Sequence, residues 1–146
     1  MFKHILLATD GSAASEHAAQ IAADMARIHG ARLTALYVVD PYPYLGIGES
    51  NPLGFQSYMA AAHAHAAQAH ARVAELCSEG SAPVALQARI SEDLTAPDGI
   101  VQTSKDEGAD LIVMGSHGRT GLMRFVVGSV ATKVLAAALI PVLIVR

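Results

Sequence analysis

The chain of 146 residues is 52% hydrophobic and 16% charged with a net charge of −3, so we expect one globular domain spanning residues 1–146. The acidic balance without a basic run argues against a nucleic-acid groove, and no window approaches the ~20 apolar residues that a membrane-spanning helix needs. The single cysteine, Cys77, and an amino-terminal apolar run too short for a secretory signal favour a cytoplasmic location.

The first half of the chain alternates short apolar runs with stretches of helical periodicity. Glu16 suits the first turn of a helix because of the helix dipole, and Gly30 stands where many helices end. Repeated glycines and prolines then predict a long irregular segment, which in a compact domain is usually a lid or a binding loop. In chain order we expect a strand at residues 5–8, a helix at 13–29, a strand at 32–39, an irregular segment at 42–55 and a helix at 56–79.

The second half continues the alternation and adds a glycine-rich loop. Pro97 suits the first turn of a helix, and Gly108 suits its end. The expected elements are a strand at residues 84–90, a helix at 95–108, a strand at 110–114, the loop at 115–128, a helix at 129–138 and a strand at 141–145. Alternating strands and helices indicate an α/β fold in which helices cover both faces of a parallel sheet.

Two turn-forming clusters follow strands, and in such sheets ligands bind at the carboxyl ends of the strands. The first cluster begins at Thr9, and the second is the glycine-rich loop between Gly115 and Ser129. A glycine-rich turn before a helix can surround a phosphate with backbone N–H groups. The other interpretation is a loop that only turns the chain, with Ser129 as a helix cap. The Walker A pattern and the Gly-x-Gly-x-x-Gly fingerprint are absent, and Lys133 lies too far inside the last helix to be a phosphate lysine.

The loop carries a resemblance to a known family. Its Gly115-x2-Gly118-x9-Gly128-Ser129 pattern, after the buried run 109–114, resembles the signature of the universal stress protein family in its ATP-binding branch. Further pieces match in order along essentially the whole chain, at residues 9–12, 38–41 and 141–145. The resemblance implies a Rossmann-like, five-stranded parallel sheet in the order 3-2-1-4-5 with four helices, and a nucleotide between the ends of strands one and four.

The resemblance also implies a position for each part of the ATP, bound with or without Mg²⁺. The implied contacts are Thr9 and Asp10 for the adenine and ribose, Val39 for the adenine through its backbone, Met114 and Gly115 beneath the ribose, and Gly118, Arg119, Gly128, Ser129 and Val130 around the phosphates. Two departures stand out. Ala8 replaces a proline that is frequent in this branch, and the segment 91–98 differs from the glycine-containing turn that usually follows strand three.

The histidines allow different interpretations. His117 lies inside the glycine-rich loop, where it either contacts a phosphate or points to solvent. His63 and His70 are seven residues apart on one face of the long helix, while His65 points elsewhere. A zinc pair on a helix needs a spacing of three or four residues, so we expect exposed, solvated imidazoles and no metal site.

The leading functional hypothesis is an ATP-binding regulatory or stress-response protein with little or no hydrolysis and a protein partner of unknown identity. A slow ATPase or adenylyl-transferring enzyme is the first alternative, although no phosphate lysine or water-positioning base is evident. A nucleotide-free dimeric interaction module is the second. The terminal run Val142–Val145 would be an apolar edge strand, and such edges invite pairing. The resemblance implies a homodimer in which these strands pair across a two-fold axis.

Overall fold

Five strands form one parallel sheet in a computed structural model of the chain, which describes residues 1–41, 52–118 and 126–146. The strand order is β3-β2-β1-β4-β5, and the described residues include four helices. The predicted α/β class and sheet order are therefore confirmed. The elements are β1 His4–Ala8, α1 Ala13–His29, β2 Arg32–Val38, α2 Pro52–Ser78, β3 Leu86–Ser91, α3 Ala96–Asp106, β4 Leu111–Gly115, α4 Ser129–Ala137 and β5 Val142–Val145.

Strand β1 lies at the centre of the sheet and is covered on both faces. Ile5 and Leu7 are buried in a cluster with Ala22 and other alanines of α1. Leu6 points to the opposite face and is buried in a second cluster with Val134 of α4. Successive side chains of a strand alternate between faces, so a strand buried on both faces reads as a continuous apolar run. The result is a three-layer arrangement with α1 and α2 on one face and α3 and α4 on the other.

Helix α1 begins and ends with capping groups that its sequence supplies. The Ser12 hydroxyl accepts a hydrogen bond from the Ser15 backbone N–H at 3.3 Å, which satisfies one of the unpaired donors of the first turn. Gly30 adopts the left-handed conformation, with φ of 64°, and ends the helix. These caps account for the agreement between the predicted and observed bounds of α1.

The last turn of α2 is capped by an arginine from α1. Arg27 donates from Nη2 to the carbonyls of Leu76 and Glu79, each at 2.9 Å, and from Nε to the carbonyl of Ala82 at 3.0 Å. These carbonyls lie at and just beyond the carboxyl end of α2, where a cation is favoured by the helix dipole. Arg27 therefore joins the two helices of one face at the edge where the strands begin, here called the amino edge.

A buried histidine organises the rest of the amino edge. His4 is 3% exposed, with Nε2 at 2.7 Å from Thr34 Oγ1 and Nδ1 at 3.0 Å from the carbonyl of Glu107. Arg32 donates from Nη2 to the same carbonyl at 3.1 Å. Burial, and next the positive charge of Arg32, lower the pKa of His4 below its ordinary value. The folded protein thus favours a neutral imidazole at this position.

A carboxylate closes the same edge. Asp110 accepts hydrogen bonds from the backbone N–H groups of Lys3 at 2.8 Å and His4 at 3.1 Å. Burial acts to raise the pKa of Asp110, but these donors outweigh it, and the pKa lies below its usual value. The chain entering β1 is in this way tied to the residue that precedes β4.

Most element boundaries differ from the sequence prediction by a residue or two, and the starts of α2 and β3 are instructive. Helix α2 begins at Pro52, whereas the prediction kept residues up to 55 irregular and began the helix at residue 56. Proline is tolerated in a first helical turn because its missing N–H has no partner there in any case. Strand β3 begins at Leu86, two residues later than predicted. Both errors come from treating breaker residues and apolar residues as boundaries on their own.

Helix α2 is longer than the sheet it packs against. Its 27 residues span about 40 Å, whereas the seven residues of β2 span about 23 Å. Its second half carries its fully buried positions, among them Ala66, Val73 and Leu76. The first half extends past the ends of the strands, where Tyr58 and Met59 pack near the end of β2.

Candidate functional site

The segments that follow β1 and β4 meet at the edge of the sheet where the strands end, which is called the carboxyl edge. A Cβ atom placed on Gly118, in the segment after β4, would lie 2.8 Å from Asp10 Oδ2, in the turn after β1. Real Cβ atoms do not approach an oxygen so closely, so any other residue at position 118 would require the Asp10 carboxylate to move. The structure thus brings together the two clusters that the sequence analysis singled out, at the point where the sheet order reverses between β1 and β4.

The turn after β1 is organised by its own side chains. Asp10 Oδ1 accepts a hydrogen bond from the Ser12 backbone N–H at 2.9 Å, and Gly11 has φ of 77°. Thr9 is 7% exposed, and its hydroxyl donates to Ser15 Oγ at 3.3 Å. The Thr9 side chain is therefore turned toward α1, while the carboxylate of Asp10 faces Gly118.

The segment after β4 is fixed by backbone hydrogen bonds. The Ser116 N–H donates to the carbonyl of Val145 at 2.7 Å, and the Ser116 carbonyl accepts from the N–H of Gly128 at 2.7 Å. A Cβ on Gly128 would lie 2.9 Å from the Ser116 carbonyl oxygen. A Cβ on Gly115 would lie 3.1 Å from the backbone of Ala14. Each glycine of the pattern thus stands where another chain segment approaches closely.

Helix α4 begins with an open N-terminus. Its N-cap is Gly128, with φ of −60° and ψ of 160°, and no side chain makes a capping hydrogen bond there within the described residues. Ser129 is exposed and is the first residue of the helix, followed by the half-buried Val130. The interpretation of Ser129 as the N-cap is therefore wrong. Free N–H groups and the positive end of the helix dipole favour an anion at this position.

His117 does not take the solvent-facing position of the second sequence interpretation. Its Nδ1 lies 2.9 Å from Ser116 Oγ, and its Nε2 is enclosed by protein with no hydrogen-bond partner among the described residues. The ring is half-buried, so it does not simply point to solvent. Ser116 was missed as a site residue, although a hydroxyl between a buried strand and a histidine is a signal that sequence reasoning could have used.

The end of β2 contributes buried groups to the same edge. Val39 is 2% exposed, and its N–H donates to the carbonyl of Ser91 at 2.7 Å. Its carbonyl is consequently the backbone group that it could offer to an adenine. The hydroxyl of Tyr58 donates to the carbonyl of Asp40 at 2.7 Å and so ties α2 to the residue after Val39. Met114 is buried at the end of β4.

Some predicted features lie outside the described residues. They are Arg119, expected near the phosphates, and residues 42–51 of the irregular segment. A cleft of about 300 Å³ adjoins the candidate site between α1 and α2. It shares Thr9 and Gly11 with the turn after β1, and Gln68 and Arg72 of α2 line its other wall.

One of the three helix histidines, His70, differs from the sequence expectation, whereas His63 and His65 are exposed as expected. His63 Nε2 lies 2.6 Å from Glu92 Oε1, so this exposed ring has an acidic neighbour in the segment after β3. His70 is half-buried, and burial lowers its pKa, which corrects the expectation of an exposed, solvated imidazole. Over the described part of the chain, no three His, Cys, Asp or Glu residues are grouped closely enough to hold a metal ion. In that same part, no helix is both long and apolar enough to cross a bilayer.

The arrangement offers mainly backbone groups and one carboxylate. The N–H groups at the start of α4 can donate to an anion, and Asp10 can accept from a hydroxyl group. The close approaches at Gly115, Gly118 and Gly128 keep this space free of side chains. Such a site is suited to hold a ligand that combines an anionic part with hydroxyl groups.

Comparisons with known proteins agree with this architecture. The family model described as the universal stress protein family matches residues 1–146. A universal stress protein of Thermus aquaticus is 37% identical over 148 residues, which cover 100% of this chain and 100% of that protein. The solved structure of universal stress protein UspA from Lactobacillus plantarum is 31% identical, with a TM-score of 0.75, and the match covers 99% of this chain and 97% of that one.

A third similar structure was solved with a nucleotide. It is the universal stress protein from Archaeoglobus fulgidus in complex with dAMP, 21% identical with a TM-score of 0.66, covering 100% of this chain and 98% of that one. At this identity the likeness establishes the shared fold. From the full-length family match, the 37% identical relative and the common sheet order, the chain belongs to the universal stress protein family.

Proposed function

We propose that this protein binds ATP at the carboxyl edge of its sheet and uses it as a regulatory ligand in a stress response, with little or no hydrolysis. The observation that carries the proposal is the contact between the segments after β1 and β4, where Gly118 lies against the Asp10 carboxylate. A dAMP-bound protein of the same fold supports an adenine nucleotide as the class of ligand.

The residues present fit the parts of ATP. The phosphates would lie at the open N-terminus of α4, near Gly128, Ser129 and Val130, and beside Gly118. The ribose would lie between Asp10 and Gly115, above Met114, where the carboxylate can accept from a hydroxyl. The adenine would lie beside Thr9 and the Val39 carbonyl. Arg119 and His117 complete the proposed phosphate contacts.

Magnesium would be held mostly by the phosphates. Mg²⁺ binds through one or two carboxylates together with phosphate oxygens, and Asp10 is the carboxylate of the candidate site. No cluster of metal-ligating side chains is present in the described residues to bind the ion by itself. ATP hydrolysis requires positioned charges and an oriented water. Since the described site offers one carboxylate and backbone donors, binding without turnover is the proposed outcome.

Dimerisation and location form part of the same proposal. Strand β5 is an edge of the sheet, and its residues Val142–Val145 are apolar and only partly covered, apart from the buried Val145. Exposed Leu135 and Leu139 lie beside it in the chain. Two copies that pair through this edge would cover it, which supports a homodimer. We propose that a regulatory partner distinguishes the ATP-bound dimer from the ATP-free dimer. We place the protein in the cytoplasm, where the buried thiol of Cys77 stays reduced.

The binding proposal is tested by mass analysis of small molecules released when freshly purified protein is denatured, together with thermal melts in ATP, AMP and GTP. A ligand at a hundredfold excess over its Kd stabilises the fold by about 2.7 kcal/mol, so ATP should raise the Tm clearly. An unchanged Tm at millimolar ATP and AMP, with no nucleotide released, would sink the proposal.

Turnover and assembly need separate measurements. Phosphate release from repurified protein should stay at background, and turnover that is abolished by Asp10→Ala would instead identify an ATPase. Light scattering on the full chain should give a dimer mass. A chain truncated after Leu139 should be monomeric or insoluble, whereas an unchanged soluble dimer would exclude β5 as the interface.

A further inference from the structure

Ser116 is held in place through both of its backbone polar groups. Its N–H donates to the carbonyl of Val145 in β5, and its carbonyl accepts from Gly128 at the start of α4, each at 2.7 Å. The residue is 4% exposed, so its side chain has little freedom. Ser116 therefore links β4, β5 and α4 and presents its hydroxyl from a fixed position.

The Ser116 hydroxyl indicates which nitrogen of the neighbouring His117 imidazole carries the proton. Ser116 Oγ lies 2.9 Å from His117 Nδ1, and the described residues offer this hydroxyl no other hydrogen-bond partner. If Nδ1 carried the proton, the buried hydroxyl hydrogen would have no acceptor. If the hydroxyl donates to Nδ1, its hydrogen is satisfied and the ring proton resides on Nε2. The second arrangement leaves fewer buried polar groups without a partner and is favoured for that reason.

This assignment leaves one donor unused. His117 Nε2 is enclosed by protein and has no hydrogen-bond partner among the described residues. A buried N–H without an acceptor is costly, and such groups in native proteins usually have a functional or solvent explanation. Since protein atoms enclose the nitrogen, a ligand acceptor reaches it only after the atoms around it move.

The position of the ring indicates the class of acceptor. A Cβ on Gly128 would lie 3.6 Å from His117 Cα, so the histidine stands beside the N-terminus of α4. This is the end of the helix where an anion is favoured. Asp10 lies next to the following residue, Gly118, on the side proposed for the ribose. The backbone of His117 thus lies at the end of the site where we place the phosphates.

We propose that Ser116 is a positioning residue that holds His117 in the Nε2–H form, and that this N–H donates to a phosphate oxygen of the bound nucleotide. The proposal rests on the proposed function. It predicts that the Ser116–His117 pair contributes to the affinity for ATP and contributes nothing to the affinity for adenosine, which has no phosphate.

The binding test compares ATP with adenosine by calorimetry on the full chain. His117→Phe keeps a ring but removes the donor, and we expect a Kd for ATP about tenfold higher with the Kd for adenosine unchanged. His117→Gln places an amide N–H near the same point and should retain most of the ATP affinity. His29→Phe, at the amino edge, is the matched control and should change neither Kd.

The tautomer is tested directly by ¹⁵N NMR of the imidazole in the wild-type protein. We expect a protonated Nε2 and an unprotonated Nδ1, with the Nε2 signal moving on addition of ATP but not of adenosine. Ser116→Ala should produce a mixture of tautomers and raise the Kd for ATP about twofold, as expected when half of the molecules hold the wrong form. Ser116→Thr, which keeps the hydroxyl, should restore the wild-type spectrum.

The outcomes separate the two proposals. A protonated Nδ1 in the wild-type spectrum would overturn the assignment of Ser116, and equal ATP affinity in His117→Phe and wild type would overturn the donor role, with ATP binding itself intact. An equal loss of ATP and adenosine affinity in His117→Phe would show a structural effect and also contradict the inference. If the wild-type chain bound neither ligand, the proposed function would be wrong as well.

Discussion

At the amino edge of the sheet, side chains hydrogen-bond to one another and to backbone carbonyls, with His4, Arg27 and Asp110 as the central groups. At the carboxyl edge, glycines keep side chains out where the connections approach one another. The difference indicates that the amino edge stabilises the fold, and it supports our proposal that the carboxyl edge binds a ligand through backbone donors at the start of α4. Mutations at the first edge should change stability, and those at the second should change binding.

The largest effect that we expect at the amino edge comes from Arg27→Ala. The substitution leaves the carbonyls of Leu76, Glu79 and Ala82 without their shared donor and should lower the free energy of unfolding by about 2–4 kcal/mol. Urea denaturation measures it, and the affinity for ATP should not change at temperatures where the variant is folded. The control is Arg72→Ala, which removes exposed ion pairs to Glu16 and Glu75 and should cost under about 1 kcal/mol. Equal losses in the two variants would contradict the capping role of Arg27.

At the carboxyl edge, Gly118→Val should produce the opposite pattern. The new side chain would meet Asp10 Oδ2 and displace this carboxylate from its place in the candidate site, so we expect a Kd for ATP about ten- to hundredfold higher. Because Gly118 is exposed, the circular dichroism spectrum should match that of the wild type. Ala85→Val, an exposed change just before β3 at the amino edge, is the matched control. An unchanged ATP affinity in Gly118→Val would break the comparison between the edges.

The pH dependence of stability should report the buried imidazoles. The pKa of His4 in the folded protein lies below its unfolded value near 6.5, so its favourable contribution is present above that pH. It is lost as the pH falls from about 6.5 through the folded pKa, because the unfolded chain then binds more protons. His70 acts with the same sign. Denaturation between pH 7.5 and 5 should show this loss, with a smaller slope in His4→Gln; a stability that rises on acidification would exclude it.

The smallest expected effect concerns a side-chain contact near the carboxyl edge. Tyr58→Phe removes the hydrogen bond to the Asp40 carbonyl and should lower the free energy of unfolding by about 0.5–1.5 kcal/mol. If the carboxyl edge recognises its ligand through backbone groups, the affinity for ATP should change less than twofold. A larger loss of affinity would mean that the start of α2 takes part in binding, which would contradict recognition through backbone groups alone.

The fold could be predicted from the sequence because its local signals agree. Strand β1 reads as a continuous apolar run since it is buried on both faces, and Ser12 and Gly30 bound α1 as caps. The buried face of helix α2 was harder to predict, because alanine occurs on all sides of the helix and leaves no apolar stripe. That is why His70 was expected in solvent although it is half-buried.

The candidate site was predictable in outline but not in detail. Glycine spacing and the strand order place Asp10 and Gly118 at one edge, and the contact between them confirms that neighbourhood. The state of His117 depends on the hydroxyl of Ser116 and on enclosure of Nε2. Side-chain orientation and enclosure are three-dimensional properties, and residue types in order along a chain do not specify them.

The excess length of α2 separates two kinds of evolutionary constraint within one helix. Its second half must fit the sheet, so substitutions at Ala66 or Val73 are limited by core volume. Its first half, from Pro52, mostly presents exposed side chains beyond the carboxyl edge. Substitutions at the exposed positions of that half should therefore cost less stability than substitutions in the second half.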